Sequence, residues 1–139
     1  SSPLYAALYR DGLLNESFSY GCEAYPGVAF LCAGGESKDP EAVRAAVLAE
    51  GERIGREGLD EELFRRLKKA AYGNLVQRLN SFETICVNQA MGYFNGYEYL
   101  AFPELFDHIT KADVEACICA VITQEKCTLA VIRPKEGEA

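Results

Sequence analysis

Phe18-Ser19-Tyr20-Gly21-Cys22-Glu23-Ala24-Tyr25-Pro26-Gly27-Val28-Ala29-Phe30-Leu31-Cys32-Ala33, closed by Gly34-Gly35-Glu36-Ser37, carries two strand patterns on either side of one turn. In the first arm Phe18, Tyr20, Cys22 and Ala24 alternate with Ser17, Ser19, Gly21 and Glu23. A period of two puts alternate side chains on opposite faces, so one face is expected to be buried. Tyr25-Pro26-Gly27 reads as a turn, because proline presets one backbone torsion and glycine accepts positive φ. Val28 to Ala33 is apolar on both faces, as a central strand would be. The pair predicts an antiparallel hairpin.

Working outward, the chain opens on a helix. Ser2 can cap it, Pro3 fits the first helical position, Leu4, Tyr5 and Leu8 share a face, and Gly12 ends it. After the hairpin, Asp39-Pro40-Glu41 starts a helix to about Arg56, with Val43, Val47 and Ile54 inward and Gly58 closing it. Asp60-Glu61-Glu62 starts another, with Leu63, Leu67, Ala71 and Leu75 inward. Asn80-Ser81 restarts the rhythm, which Ile85, Asn88, Gln89 and Gly92 carry to about Phe94. An aromatic run follows (Tyr97, Tyr99, Phe102, Phe106), broken by Pro103. Thr110-Lys111-Ala112-Asp113 is a capping-box start for a helix carrying Val114, Cys117, Ile118 and Val121. Cys127 to Ile132 is expected to be a third strand, before a charged tail from Pro134. The sum is an α+β fold, a largely antiparallel sheet with helices packed on one face.

Composition narrows the function. The 139 residues make one domain with enough apolar content, 49%, for a real core. A net charge of −7 repels phosphate backbones and anionic lipid surfaces, so neither nucleic acid nor membrane is expected as a partner. No apolar run approaches the roughly 20 residues that span a bilayer. The six cysteines show no Cys-x-x-Cys spacing. Cys22, Cys32 and Cys127 read as small buried hydrophobes, and Cys117 and Cys119 project about 200° apart on a helix and cannot share an ion. Reduced structural thiols, and hence a cytoplasmic location, are the expectation.

Ser1-Ser2-Pro3-Leu4-Tyr5, Leu8-Tyr9-Arg10-Asp11-Gly12-Leu13, the strand pair ending in Gly34-Gly35-Glu36-Ser37, the Asp60 helix and Ile109-Thr110-Lys111-Ala112-Asp113-Val114 fall in a characteristic order. In that order they resemble the second, non-catalytic half-domain of the M16 (pitrilysin/insulinase-like) zinc peptidases. The resemblance covers nearly the whole chain and implies most of an M16 C-terminal half-domain, with its first strands and helix before Ser1. Members pair similar half-domains around a peptide chamber, and cut with a His-x-x-Glu-His motif carried on the first. His108 is the single histidine here, so that motif is not in these residues.

The resemblance therefore implies no cofactor in this segment and zinc in the parent protein. The implied partners are the N-terminal peptidase domain of the same chain, a homologous M16-like subunit and a peptide substrate. In many relatives the second half supplies an Arg and a Tyr that grip the substrate backbone. The matching places read Tyr9 and Asn15, with Arg10 one step away, so the pair is not recognisably present. Tyr9, Arg10 and Asn15 are the substrate-contact candidates, and a partner subunit carrying the grip is a coherent explanation.

Other constellations have plainer readings. His108 lacks further ligands at zinc spacing and reads as a polar loop or cap residue. Gly34-Gly35-Glu36-Ser37 lacks the lysine of a phosphate loop and places a carboxylate where phosphate would sit. Glu61 and Glu62 suit the positive end of a helix better than a catalytic pair. Ser1, Ser2 and Ser37 have no histidine base nearby in sequence. The aromatics Tyr93, Phe94, Tyr97, Tyr99, Phe102 and Phe106 read either as core and domain interface or as a chamber or partner surface. Two functions stay open: a non-catalytic wall of a zinc endopeptidase, or a proteolytically inactive assembly module. Unpaired strand edges lead to the expectation that the isolated chain self-associates.

Overall fold

The computed structural model describes residues 3–133. Six helices and one hairpin follow in order: α1 (Pro3–Arg10), β1 (Ser19–Tyr25), β2 (Val28–Gly34), α2 (Pro40–Glu57), α3 (Glu61–Arg78), α4 (Phe82–Asn95), α5 (Phe102–His108) and α6 (Lys111–Val121). A single 3-10 turn, Tyr99–Ala101, leads into α5. The fold is α+β. The Ser2 cap and the charged run from Pro134 lie outside the described residues.

Local chemistry fixes the helix starts. The Asp39 carboxylate accepts from Ala42 N at 3.0 Å, Asp60 from Leu63 N at 2.6 Å, and the Ser81 hydroxyl from Thr84 N at 3.2 Å. At α6 Thr110 and Asp113 exchange both bonds of a capping box. Helix ends are equally local. Gly12 (φ +70°) lets Leu13 N reach back to Leu8 O at 3.0 Å, and Gly96 (φ +78°) lets Tyr97 N reach Gly92 O at 2.9 Å. Both are left-handed glycine stops that satisfy a carbonyl otherwise left open.

The core is small. Leu8, Leu14, Ile54 and Phe102 are its buried hydrophobic residues. α1 rests on α2, and α6 packs along α2. The α2–α6 crossing depends on Gly51, where an added Cβ would stand 2.8 Å from Ile122 Cγ2. Phe102 anchors a second cluster with Tyr72 of α3 (ring centroids 5.8 Å apart) and Tyr99 (6.2 Å), and Phe106 meets Tyr72 edge-on at 5.6 Å.

Several expectations fail where burial or long-range pairing was required. β1 and β2 pair antiparallel from Ser19↔Gly34 to Tyr25↔Val28, but every residue of both strands is exposed. The hairpin forms because its turn and cross-strand bonds are local. Neither face is covered, so the buried face of β1 and the central position of β2 are corrected, as is the burial of Cys22 and Cys32, both exposed. Cys127 to Ile132 is not a strand, since no ladder partner meets it among the described residues. Ile132 is 99% exposed. In α3, Leu67 and Ala71 face solvent rather than the core. Pro103 does not break structure but stands in the first turn of α5, where its missing N–H leaves no bond unmade.

Candidate functional site

The end of α1, the loop behind it and the exit of β2 bring the three sequence-derived candidates into one region. Tyr9 lies one turn above Tyr5, the rings stacked at 5.9 Å, and Tyr5 continues to Phe18 at 6.0 Å. This aromatic file joins the helix to the mouth of the hairpin. Tyr9 is half open to solvent. Arg10, in the last turn of α1, pairs among the described residues with its neighbour Asp11, with Nε 3.7 Å from Oδ1, and both side chains are well exposed. Such a pair is loose and contributes little to stability.

Asn15 is held firmly. Its amide donates to Glu36 Oε2 at 2.8 Å, and its carbonyl oxygen accepts from Ser17 N at 2.9 Å and from Ser17 Oγ at 2.5 Å. Ser17 Oγ in turn accepts from Glu36 N at 2.9 Å. The ring of bonds closes the α1–β1 loop onto the Gly34-Gly35-Glu36 exit. Gly35 is required there, because a Cβ would stand 2.7 Å from Phe18 Cα. Asn15 is therefore spent on structure, while Tyr9 and Arg10 keep exposed polar groups. No hydrogen bond or ion pair joins the three candidates among the described residues. The family resemblance had pointed to Asn15; it had not pointed to Ser17 and Glu36, whose partnership spans the whole hairpin.

A second polar clasp went unread in the sequence. Glu115 Oε1 on α6 accepts from Leu59 N at 2.7 Å, and Lys111 Nζ donates to Leu59 O at 3.2 Å while lying 3.4 Å from Glu61 Oε2. Together they fix the α2–α3 corner to α6. Elsewhere Arg53 on α2 holds Glu50 (2.8 Å) and Glu57 (3.2 Å). Its hydrogen bond holds the Glu50 carboxyl below the ordinary carboxylate range, against a smaller opposing effect of burial. Asp113 is lowered too, by its bonds from the Thr110 hydroxyl and backbone.

These residues do not fit a zinc ion. His108 closes α5, and among the described residues no group of three or more His, Cys, Asp or Glu converges at metal-binding distance. All the cysteines described are free thiols. Among the described residues no helix is long and apolar enough to cross a membrane.

Residues 1–71 match the family model described as the Peptidase M16 inactive domain. The chain belongs to the M16 peptidase family. Its matching half is the family's inactive domain, consistent with the absence of a second histidine. A zinc protease of Bacillus subtilis (strain 168), YmfH, is 33% identical over 145 residues, covering 97% of this chain and 31% of that protein. The crystal structure of an M16-like peptidase from Alicyclobacillus acidocaldarius superposes with a TM-score of 0.79 at 19% identity, covering 86% of this chain and 29% of that one. The M16-like fold is thus shared despite low identity. The chain spans about a third of the length of these two relatives.

Proposed function

We propose that this M16 inactive domain forms a wall of a peptide chamber, closing it opposite a zinc-bearing half-domain that performs the cleavage. The observation that carries this reading is the match to the inactive-domain model in a chain whose relatives are about three times as long. The relative from Bacillus subtilis is described as a zinc protease, which supports zinc chemistry in the parent family. Within this domain the contribution is shape: α1, the clasped loop and the hairpin present Tyr9, half open to solvent, and Arg10, loosely paired with Asp11, to a peptide backbone.

The fate of Asn15 favours a second component. With its amide committed to Glu36 and its carbonyl oxygen to Ser17, it has little left for a substrate. A homologous M16-like subunit carrying the substrate grip accounts for this, and an inactive assembly module is the competing reading. Cleavage of a quenched fluorescent peptide by the complete protein separates them. The chamber reading requires activity that falls when residues 1–139 are deleted and returns when the domain is supplied in trans. Undiminished cleavage without the domain would overturn it. A complete protein with no cleavage, alone or with homologous subunits, would favour the assembly module.

A further inference from the structure

α4 is folded with its apolar side outward. Thr84, Ile85, Asn88, Gln89 and Asn95 are half-buried and Gly92 is buried, so the inner side is mostly polar. Asn88 even turns its amide back to Thr84 O at 2.7 Å. The solvent side carries Phe82, Cys86, Val87, Ala90, Met91, Tyr93 and Phe94, interrupted by the single charge of Glu83. Phe82 and Tyr93 are 81% exposed and Phe94 79%. Surface helices ordinarily do the reverse. Each large aromatic hides roughly 150–250 Å² when covered, so this strip exceeds the apolar patch a free surface usually carries.

The strip continues past the end of α4. Gln89, Tyr93, Gly96, Tyr97 and Glu98 line an open cleft of about 310 Å³, and Leu100 and Leu105 stand exposed beyond it. The charge of this region has one sign. Between Arg78 and Lys111 there is no lysine or arginine, while Glu83, Glu98, Glu104 and Asp107 all occur, with His108 as the only basic side chain. None of the four carboxylates forms an ion pair among the described residues. Of the nearby cations, Lys68 donates to Ile109 O at 2.7 Å and Lys111 holds Leu59 O and lies beside Glu61 and Glu115, while the exposed Arg78 at the other border forms no ion pair with the four carboxylates among the described residues. A second copy would bring the same carboxylates and a net charge of −7 against this face, so like charges oppose self-pairing here.

We propose that the outward face of α4, continued through Tyr97 to Leu105, docks a cationic amphipathic polypeptide segment. Apolar side chains of that segment at helical spacing cover Phe82, Tyr93 and Phe94, and its flanking Lys or Arg meet Glu83 and Glu98. The chamber reading is not needed for this inference, and binding is measured without cleavage. Fluorescence anisotropy of the full chain with a labelled Leu/Lys helical peptide should show saturable binding. A charge-reversed Leu/Glu peptide and an equally charged Ser/Lys peptide should each bind at least about ten-fold more weakly. The triple variant Phe82→Ser, Tyr93→Ser, Phe94→Ser should lose about ten-fold in affinity for the Leu/Lys peptide with helicity unchanged. Should helicity fall, the single Phe94→Ser variant, at a site four-fifths exposed, is read in its place. Equal binding of the Ser/Lys peptide, unaltered binding by the variant, or self-association abolished by these substitutions would overturn the proposal.

Discussion

At the scale of single residues, Asn15 is the position where a substrate role and a structural role give opposite results. Its three bonds to Ser17 and Glu36 make it a fastening of the hairpin. Asn15→Ala should lower stability by about 1 kcal/mol, the net worth of such bonds at an exposed site, seen as a lower urea midpoint. An unchanged midpoint together with a raised KM in the complete protein would restore Asn15 to the substrate. Gly51 and Gly73 make a second contrast. A Cβ at Gly51 meets Ile122 at 2.8 Å, whereas one at Gly73 meets nothing within 4 Å. Gly51→Ala should therefore destabilise by about 1–3 kcal/mol through overpacking, and adding Ile122→Ala should recover part of that. Gly73→Ala should stabilise by about 0.5–1 kcal/mol from helix propensity alone. Equal effects at the two glycines would refute the close crossing of α2 and α6.

Among the elements, α6 shows how pH enters. Asp113 is held below its ordinary value by Thr110, so the capping box contributes stability above the carboxyl's unfolded value of about 3.9. That contribution disappears as pH falls through the lower folded value. Carboxyl NMR titration should place Asp113 below that reference, and Thr110→Ala should move it back up; a value at or above the reference in the native chain would contradict the box. Elements were also where the sequence was most and least legible. Asp39, Asp60, Ser81 and Thr110 announce helix starts because a cap bonds to a backbone group two or three residues away. Pro103 misled because proline stops a helix from inside but suits its first turn. The Cys127–Ile132 pattern asks for a strand, but a strand exists only with a partner ladder, which no local pattern supplies. For α4 the rhythm of Ile85, Asn88, Gln89 and Gly92 marked one side correctly, yet nothing local says that this polar side turns inward.

Across the whole molecule, a modest core carries surfaces suited to being covered. The hairpin has open edges and two exposed faces, while α4 presents aromatics to solvent. Through its edges the isolated chain should self-associate in sedimentation velocity, more strongly as added salt screens the net charge of −7. A monomer at high concentration and high salt would contradict that. Of the candidate site, Tyr9, Arg10 and Asn15 lie close together along the chain, but among the described residues no hydrogen bond or ion pair joins them. The wiring of Asn15 was not legible in the sequence, because Asn15 meets Glu36 only after the hairpin has returned the chain. The central claim, a domain that shapes a chamber without cutting, is tested most directly by metal analysis and peptide hydrolysis on the isolated 139-residue chain. A domain that only shapes the chamber should hold no stoichiometric zinc and show no cleavage above the buffer rate; bound zinc at one per chain with turnover by the chain alone would overturn this reading.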